Sequence, residues 1–118
     1  MKKFNPRDLS DSALELIAGK FKALSEMSRL KIIIALEEGE KNVTKLVEVT
    51  GLTQANLSRH LQILVEAGIL SRRKEGLAVY YSISDPAIFK ICDQVCGGLA
   101  KHIEAQALAL KPGRRFGP

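Results

Sequence analysis

The segment covering residues 43–67 restricts the fold of this chain more than any other part of the sequence. Two stretches with helical patterning are separated by only three residues, Gly51-Leu52-Thr53. Glycine accepts the left-handed conformation that ends a helix, and threonine is a good N-terminal cap for the next one. So short a connection is typical of the helix-turn-helix, whose second helix is held rigidly for insertion into a DNA groove. The spacing predicts helices at residues 43–50 and at residue 54 to about residue 67.

The second helix of this pair combines an apolar ridge with a polar edge. Leu57, Leu61 and Leu64 recur at helical spacing, which predicts that they are buried. The side chains predicted to contact DNA are the polar ones of the first turns: Thr53, Gln54, Asn56, Ser58, Arg59 and His60. Arginine can bond guanine twice, glutamine and asparagine can bond adenine twice, and serine suits a base or a phosphate. For His60 a second interpretation stays open, in which the ring packs between helices.

A basic β-hairpin is predicted directly after this helix. Residues 69–73 and 78–83 have strand patterning on either side of a turn at residues 74–77. Three adjacent cations lie near the tip, namely Arg72, Arg73 and Lys74. An isolated triplet of this kind is usually a solvated charge run. Its position after a recognition-type helix instead favours a wing that lies along DNA phosphates.

Two helices are predicted before the helix-turn-helix. Ser10-Asp11-Ser12 begins the first, Ser25 caps the second, and Glu38-Gly39 ends it, while Asn42 caps the next helix at Val43. In the first helix, Leu14, Ile17, Phe21 and Leu24 recur at helical spacing. In the next two helices, burial is predicted for these apolar side chains: Met27, Leu30, Ile33, Ile34, Leu36, Leu46 and Val49.

A long final helix is predicted after Ser84-Asp85-Pro86, because aspartate caps helices and proline suits their first position. Its apolar stripe is formed by Ile88, Cys92, Val95, Leu99 and Ile103, and continues to Leu110. A domain this small offers no obvious cover for the stripe. That favours a two-fold dimer over the alternative, in which the helix folds back on its own core.

These elements predict a mostly α-helical fold with a small β-hairpin. The order is four helices, two strands and a fifth helix, which describes a winged helix-turn-helix. Residues 10–110 are predicted to form one DNA-binding and dimerisation domain, as suits a chain of 118 residues. Residues 1–9 are predicted to be flexible, and residues 111–118 to be a disordered tail.

Composition restricts the partners. The net charge of +5 favours a polyanion, whereas an aromatic content of 5% argues against stacking platforms for single-stranded nucleic acid. No apolar run approaches the roughly 20 residues of a bilayer span, and the first residues lack a signal-peptide core. A cytoplasmic protein without a membrane partner is therefore predicted.

From Phe21 to about Ile91 the sequence resembles the ArsR family of winged-helix repressors. The matching stretches are Ala-Leu-Ser-Glu-Met-Ser-Arg-Leu-Lys-Ile at residues 23–32, Gly-Leu-Thr-Gln-Ala-Asn-Leu-Ser-Arg-His-Leu at 51–61, Glu-Ala-Gly-Ile-Leu at 66–70 and Val-Tyr-Tyr at 79–81. The set in this order is specific, although each motif alone is common. The resemblance implies a homodimer, joined through its first and last helices, that represses a nearby promoter until an inducer weakens DNA binding.

Two metal-binding patterns of that family are missing from this sequence. Metal-sensing members carry Cys-Val-Cys at the start of the third helix, where this chain has Asn42-Val43-Thr44. Others bind zinc or related ions on the last helix. The corresponding positions, aligned from Tyr80-Tyr81, are Asp85, Ala87, Gly98 and Lys101, and three of these four cannot be ligands. His102 and Glu104 lie nearby but point in different directions on a helix, so no metal site or cofactor is predicted.

Cys92 and Cys96 are one helical turn apart on the final helix. In one interpretation they are small apolar side chains that fill the dimer interface. In the other they sense an oxidant, a reactive sulfur species or a thiophilic ion such as trivalent arsenic. The second interpretation resembles the thiol-sensing branch of the family. Those members typically pair a last-helix cysteine with one on the second helix, where this chain has Ile32-Ile33-Ile34-Ala35.

The sequence leaves three alternative functions open. One is a regulator without thiol or metal sensing, which acts by competing for DNA with another regulator. A thiol redox enzyme is disfavoured, because the sequence has no Cys-x-x-Cys motif, βαβ framework or glycine-rich phosphate loop, so no enzyme activity is predicted. A protein-interaction module would be favoured by an acidic or apolar wing, whereas this wing is cationic.

Overall fold

The computed structural model of the chain describes residues 5–109, and the side chains of residues 5–106. Helix α1 covers Asp11–Leu24, α2 Met27–Ala35, α3 Val43–Thr50, α4 Gln54–Glu66 and α5 Ala87–Ala109. The strands are β1 Lys41–Asn42, β2 Leu70–Glu75 and β3 Ala78–Ile83, and two 3-10 turns lie at Pro6–Asp8 and Leu36–Glu38. This confirms the predicted winged helix-turn-helix architecture. Leu110 and the predicted tail lie outside the described residues, as do residues 1–4.

The helices begin where polar side chains can accept the first backbone N–H groups. Ser10 accepts from Ala13 at 3.1 Å, Asn42 from Lys45 at 2.8 Å and Thr53 from Asn56 at 3.2 Å, as predicted. The prediction that Ser25 caps α2 is wrong. Glu26 caps that helix by accepting the N–H of Arg29 at 3.0 Å, because the Ser25 hydroxyl is donated backwards to the Lys22 carbonyl at the end of α1.

The chain forms two compact units, which divide at Asp85 and Pro86. In the first unit, α2 packs on α3 and α4. The buried core of this unit includes the predicted leucine ridge of α4, and its most deeply buried side chains are Ile32, Ile33, Leu36, Leu46, Leu57, Leu61, Leu64 and Ile69. The ridge therefore fixes which side of α4 faces inward.

Several predicted core residues are exposed in the single chain, which corrects the sequence-based list. They are Met27, Leu30, Ile34 and Val49. On α2 the inward side is formed by Ile32, Ile33 and the following Leu36, so Met27 and Ile34 point away and are 69% and 53% exposed. The apolar pattern of α2 is wide enough to fit more than one inward orientation, and contact with α3 and α4 selects one of them.

The sheet has three antiparallel strands in the order β1-β3-β2. Strand β1, which the sequence analysis missed, pairs Lys41 with Tyr81 and Asn42 with Tyr80. Strand β2 extends two residues further than predicted, because Lys74 pairs with Val79 and Glu75 with Ala78. The predicted four-residue turn is therefore wrong. The turn is Gly76-Leu77, with a φ of +60° at the glycine, as a two-residue hairpin requires at its first position.

The second unit contains α5. Within it Val95 and Leu99 are exposed at 67% and 55%, Cys92 is half-buried and Cys96 is exposed. None of the helices within residues 5–109 has the length and apolarity that crossing a membrane would need.

Gly51 should be required for its backbone conformation alone. It ends α3 with a φ of +73°, and a Cβ built there meets no atom within 4 Å. We expect Gly51→Ala to lower the free energy of unfolding by about 1 kcal/mol. Gly51→Asn should cost less, since asparagine tolerates the left-handed region. Urea denaturation of the three proteins measures this, and equal losses in both variants would contradict the explanation.

Candidate nucleic-acid interface

The exposed edge of α4 lies opposite its buried ridge. Thr53, Gln54, Asn56, Ser58 and Arg59 are all exposed, while Leu57 and Leu61, on the same turns, are at most 1% exposed. Thr53 uses its hydroxyl oxygen to start the helix, so it positions the edge as well as lying on it. The five exposed residues together offer hydrogen-bond donors, acceptors and one fixed positive charge on a rigid helix.

The turn before α4 is held by specific hydrogen bonds. The N–H of Gly51 is donated to the Val47 carbonyl at 3.0 Å. The hydroxyl of Thr50 is donated to the Leu46 carbonyl at 2.5 Å, and its oxygen accepts the N–H of Leu52 at 3.3 Å. Because this connection has few free torsions, the direction of α4 follows from that of α3.

A groove of about 420 Å³ lies beside this edge. It is formed by the start of α3, the face of α4 and the end of the hairpin. Its lining residues are Asn42, Val43, Thr44, Gln54, Ser58 and residues 77–79. The polar edge of α4 thus continues into a concave surface bounded by the hairpin.

His60 differs from the other residues predicted for this edge, because it is only 4% exposed. Its Nδ1 lies 3.2 Å from Nη1 of Arg29 and 3.9 Å from a carboxylate oxygen of Glu26. Burial lowers the pKa of His60, the Glu26 carboxylate partly opposes this, and the positive charges of Arg59 and Arg29 add to the decrease. Of the two interpretations of His60, this burial agrees with the one in which the ring packs between helices.

Arg73 is held on one face of the hairpin by two carboxylates and an aromatic ring. It binds Glu40 through two nitrogens, binds Glu75 at 2.7 Å, and lies 4.6 Å above the ring centre of Tyr80. The hydrogen bond from Arg73 lowers the pKa of Glu40, and the bonds to Glu40 and then Glu75 raise the pKa of Arg73. Two carboxylates therefore compensate the charge of this arginine.

The other two wing cations are differently placed. Alternate residues of a strand point to opposite faces, so Arg72 and Lys74 lie on the face away from Arg73. Both are exposed, and neither takes part in an ion pair with another described residue. The structure thus separates the predicted triplet into one internally paired cation and two that remain open to a phosphate.

Sequence reasoning missed three residues that organise this surface, namely Glu26, Arg29 and Glu40. Glu40 precedes a strand of only two residues, which is too short for its periodicity to be recognised. A signal for Glu26 was present, because the carboxylate lies three residues before Arg29, the spacing of a cap and its N–H donor. Within residues 5–109 no group of three or more His, Cys, Asp or Glu is arranged to hold a metal ion.

A rigid helix-turn-helix with an exposed polar edge, followed by a hairpin that carries open cations, defines a winged-helix DNA-binding domain. Residues 27–72 match the family described as bacterial regulatory protein, arsR family. The chain belongs to this ArsR family and is a transcriptional regulator rather than an enzyme.

Individual relatives agree with that family. The chain is 37% identical over 70 residues to the arsenical resistance operon repressor of Bacillus subtilis, covering 58% of this chain and 67% of the relative. It is 37% identical over 68 residues to the probable mercury resistance operon repressor of Streptomyces lividans, again 58% of this chain but only 54% of that protein's length. A solved homodimeric winged helix-turn-helix domain from Mycobacterium bovis has a TM-score of 0.74 and 26% identity, and 98% of this chain and 100% of that one are covered.

Proposed function

We propose that this protein is a homodimeric transcriptional repressor that binds a palindromic operator, with α4 in the major groove and the β2–β3 hairpin along the DNA backbone. The observation that carries the proposal is the exposed polar edge of α4, set on a fully buried leucine ridge. A helix anchored on one side and polar on the other can enter a groove without unfolding its own core.

Base reading is assigned to the exposed residues of the first turns of α4. Arg59 can donate two hydrogen bonds to one guanine, and Gln54 or Asn56 can bond both the donor and the acceptor of an adenine. Ser58 lies on the groove beside the hairpin, where its hydroxyl suits a base or a phosphate. His60 is not assigned a base contact, because its ring is buried.

Backbone contacts are assigned to Arg72 and Lys74. Both are exposed on one face of the hairpin and are free of the ion pairs that engage Arg73. Arg73 is instead proposed to hold the wing beside β1 through Glu40. The net charge of +5 favours the same polyanion, and a regulator of this kind acts on the chromosome in the cytoplasm.

The homodimer is supported by apolar surface that the single chain leaves exposed. Leu14, Leu16 and Phe21 on α1, and Val95 and Leu99 on α5, are each between 47% and 74% exposed. The M. bovis neighbour is described as homodimeric. A two-fold dimer would place its recognition helices about 34 to 36 Å apart, so the operator half-sites should be one DNA turn apart.

Release from the operator is proposed to follow modification of Cys92 and Cys96. Cys96 is exposed and Cys92 half-buried, one turn earlier on α5. A direct disulfide across one turn of an intact helix is strained, so a bridge between protomers or a polysulfide link is easier. With peroxide, two thiols would give up two electrons and two protons to form the disulfide, and the peroxide would become water. In the alternative, the cysteines are structural and the protein competes for DNA with another regulator.

Arg59 should contribute base discrimination. An operator selected from random duplexes and its single-base variants can be compared by fluorescence anisotropy. We expect Arg59→Ala to lose about 1 to 3 kcal/mol of discrimination at one position in each half-site. The matched control is Lys31→Ala, which removes one charge from α2 and should leave discrimination unchanged. A uniform loss of affinity in both variants would contradict a base contact by Arg59.

The open and paired wing cations should differ in salt dependence. For Arg72→Ala and for Lys74→Ala, the slope of log affinity against log salt concentration should become shallower by about one per wing, since each loses a phosphate contact. The double variant Arg73→Gln/Glu40→Gln removes opposite charges together and should keep the wild-type slope. If this control instead matched Arg72→Ala, Arg73 would have to leave Glu40 and contact DNA in the complex.

The cysteine pair should control release if it is sensory. Operator binding is measured after treatment with persulfide, peroxide or arsenite, and mass spectrometry identifies the adducts. We expect the wild type to lose at least tenfold in affinity with one of these reagents, and Cys92→Ser and Cys96→Ser to remain bound. Equal release of the variants and the wild type, or no release of either, would leave the cysteines with a structural role.

A further inference from the structure

One guanidinium group connects three helices of the first unit. Arg29 Nε donates to the carbonyl of Ala23, in the last turn of α1, at 2.6 Å. Its Nη1 lies 3.2 Å from Nδ1 of His60, in the middle of α4. Its backbone N–H starts α2 by donating to Glu26 at 3.0 Å. The α1–α2 corner is therefore tied to α4 through a single side chain.

The chemistry of the arginine fixes the state of the imidazole. A guanidinium can only donate hydrogen bonds, so Nδ1 of His60 has to accept and cannot carry a proton. The ring is then neutral, with its proton on Nε2. A second proton on the ring would place two donors face to face and add a positive charge beside Arg29 and Arg59. The Glu26 carboxylate, 3.9 Å from Nδ1, would offset part of that repulsion.

This contact lies directly beside the base-reading residues. His60 follows Arg59 in sequence, and its neighbours Leu57 and Leu61 are at most 1% exposed, so α4 is anchored in the core on both sides of the ring. A shift of α4 at this point would move Arg59 and Ser58 together. Even a small displacement of these two side chains would weaken binding, because bidentate base contacts depend on tight geometry.

We propose that Arg29 and neutral His60 form a positioning clamp for α4, and that protonation of His60 opens the clamp and weakens operator binding. This inference rests on the proposed DNA-binding function. The clamp residues touch no DNA; they act through Arg59 and its neighbours. The depressed pKa of His60 agrees with a ring that is neutral in the native state.

The direction of the pH effect distinguishes the clamp from a DNA contact. A histidine on the DNA surface gains a charge in acid and strengthens binding to phosphates. Protonation of the clamp histidine has the opposite effect, because it weakens DNA binding. Because burial lowers the pKa of His60, affinity stays constant through neutral pH and starts to decrease only below the ordinary histidine pKa of about 6.5. The decrease is at most about tenfold per pH unit for each His60, since one proton is taken up per protomer.

The experiment uses the full chain with His102→Gln, which leaves His60 as the single histidine of the two in the sequence. Operator affinity is measured from pH 8 to pH 5 at constant ionic strength, and circular dichroism verifies at each pH that the protein is folded. We expect at least a fivefold loss over this range. In the same background His60→Asn, whose amide oxygen can replace Nδ1 as acceptor without titrating, should bind with no acid loss.

Glu26→Gln provides a test that does not depend on replacing the buried ring. Glutamine keeps an oxygen that can accept the N–H of Arg29 but removes the charge that favours protonated His60. The clamp then needs more acid to open, so the decrease in affinity should begin at lower pH. Arg29→Lys keeps the charge without the forked geometry and should weaken binding at pH 8, where His60 is neutral.

Nitrogen NMR of His60 tests the clamp without DNA. The expected spectrum at pH 7.5 has an unprotonated Nδ1 and a protonated Nε2. A protonated Nδ1 at that pH would overturn the inference, whether or not the protein binds an operator. The inference would also be overturned if affinity increased in acid equally in the background protein and in His60→Asn. The same holds if the curve of affinity against pH for Glu26→Gln coincided with that of the background protein. Failure to bind any duplex at pH 8, with the expected NMR spectrum, would instead count against the proposed function alone.

Discussion

Burial of the leucine ridge of α4 is the constraint on which the rest of this surface depends. Leu57, Leu61 and Leu64 are almost fully excluded from solvent, in a core that also contains Ile32 and Leu46. Burying each such side chain contributes on the order of 1.5 to 3 kcal/mol, which is large beside the few tenths of a kcal/mol expected from single exposed polar contacts. The rotation of α4 about its axis is therefore set by apolar packing. The polar edge is exposed as a consequence, rather than through its own interactions.

Charge pairing makes a second, finer selection among residues that look alike in sequence. Arg72, Arg73 and Lys74 are consecutive cations, yet strand alternation places Arg73 alone on the face where Glu40, Glu75 and Tyr80 lie. Arginine suits that position because its planar group can bind a carboxylate twice and stack on a ring at the same time. The wing thus contains one cation that is paired with carboxylates and two that can bind a polyanion. The net charge of the chain does not reveal this distinction.

Local signals in the sequence predicted the elements of the fold well, but contacts between residues far apart in the sequence could not be predicted. The caps at Ser10, Asn42 and Thr53, and the glycine at residue 51, act within a few residues, so their chemistry is visible in the chain itself. Strand β1 depends on pairing with Tyr80 and Tyr81, about 40 residues away. The contacts of Arg29 with His60 and of Arg73 with Glu40 likewise span 31 and 33 residues. No periodicity within one segment indicates such partners.

The errors in the predicted core have a different origin, and they bear on assembly. Periodicity identifies apolar faces, but it does not say whether the same chain or another one covers them. Met27, Ile34 and Val49 are predicted to be buried and yet remain exposed in the single chain, as do Leu14 and Phe21, which also follow helical spacing. Exposed apolar surface of this extent on a small regulator is typical of an interface, and the proposed homodimer would cover part of it. The apolar pattern of this sequence therefore identifies the apolar faces of the helices, but not which of these faces the single chain buries.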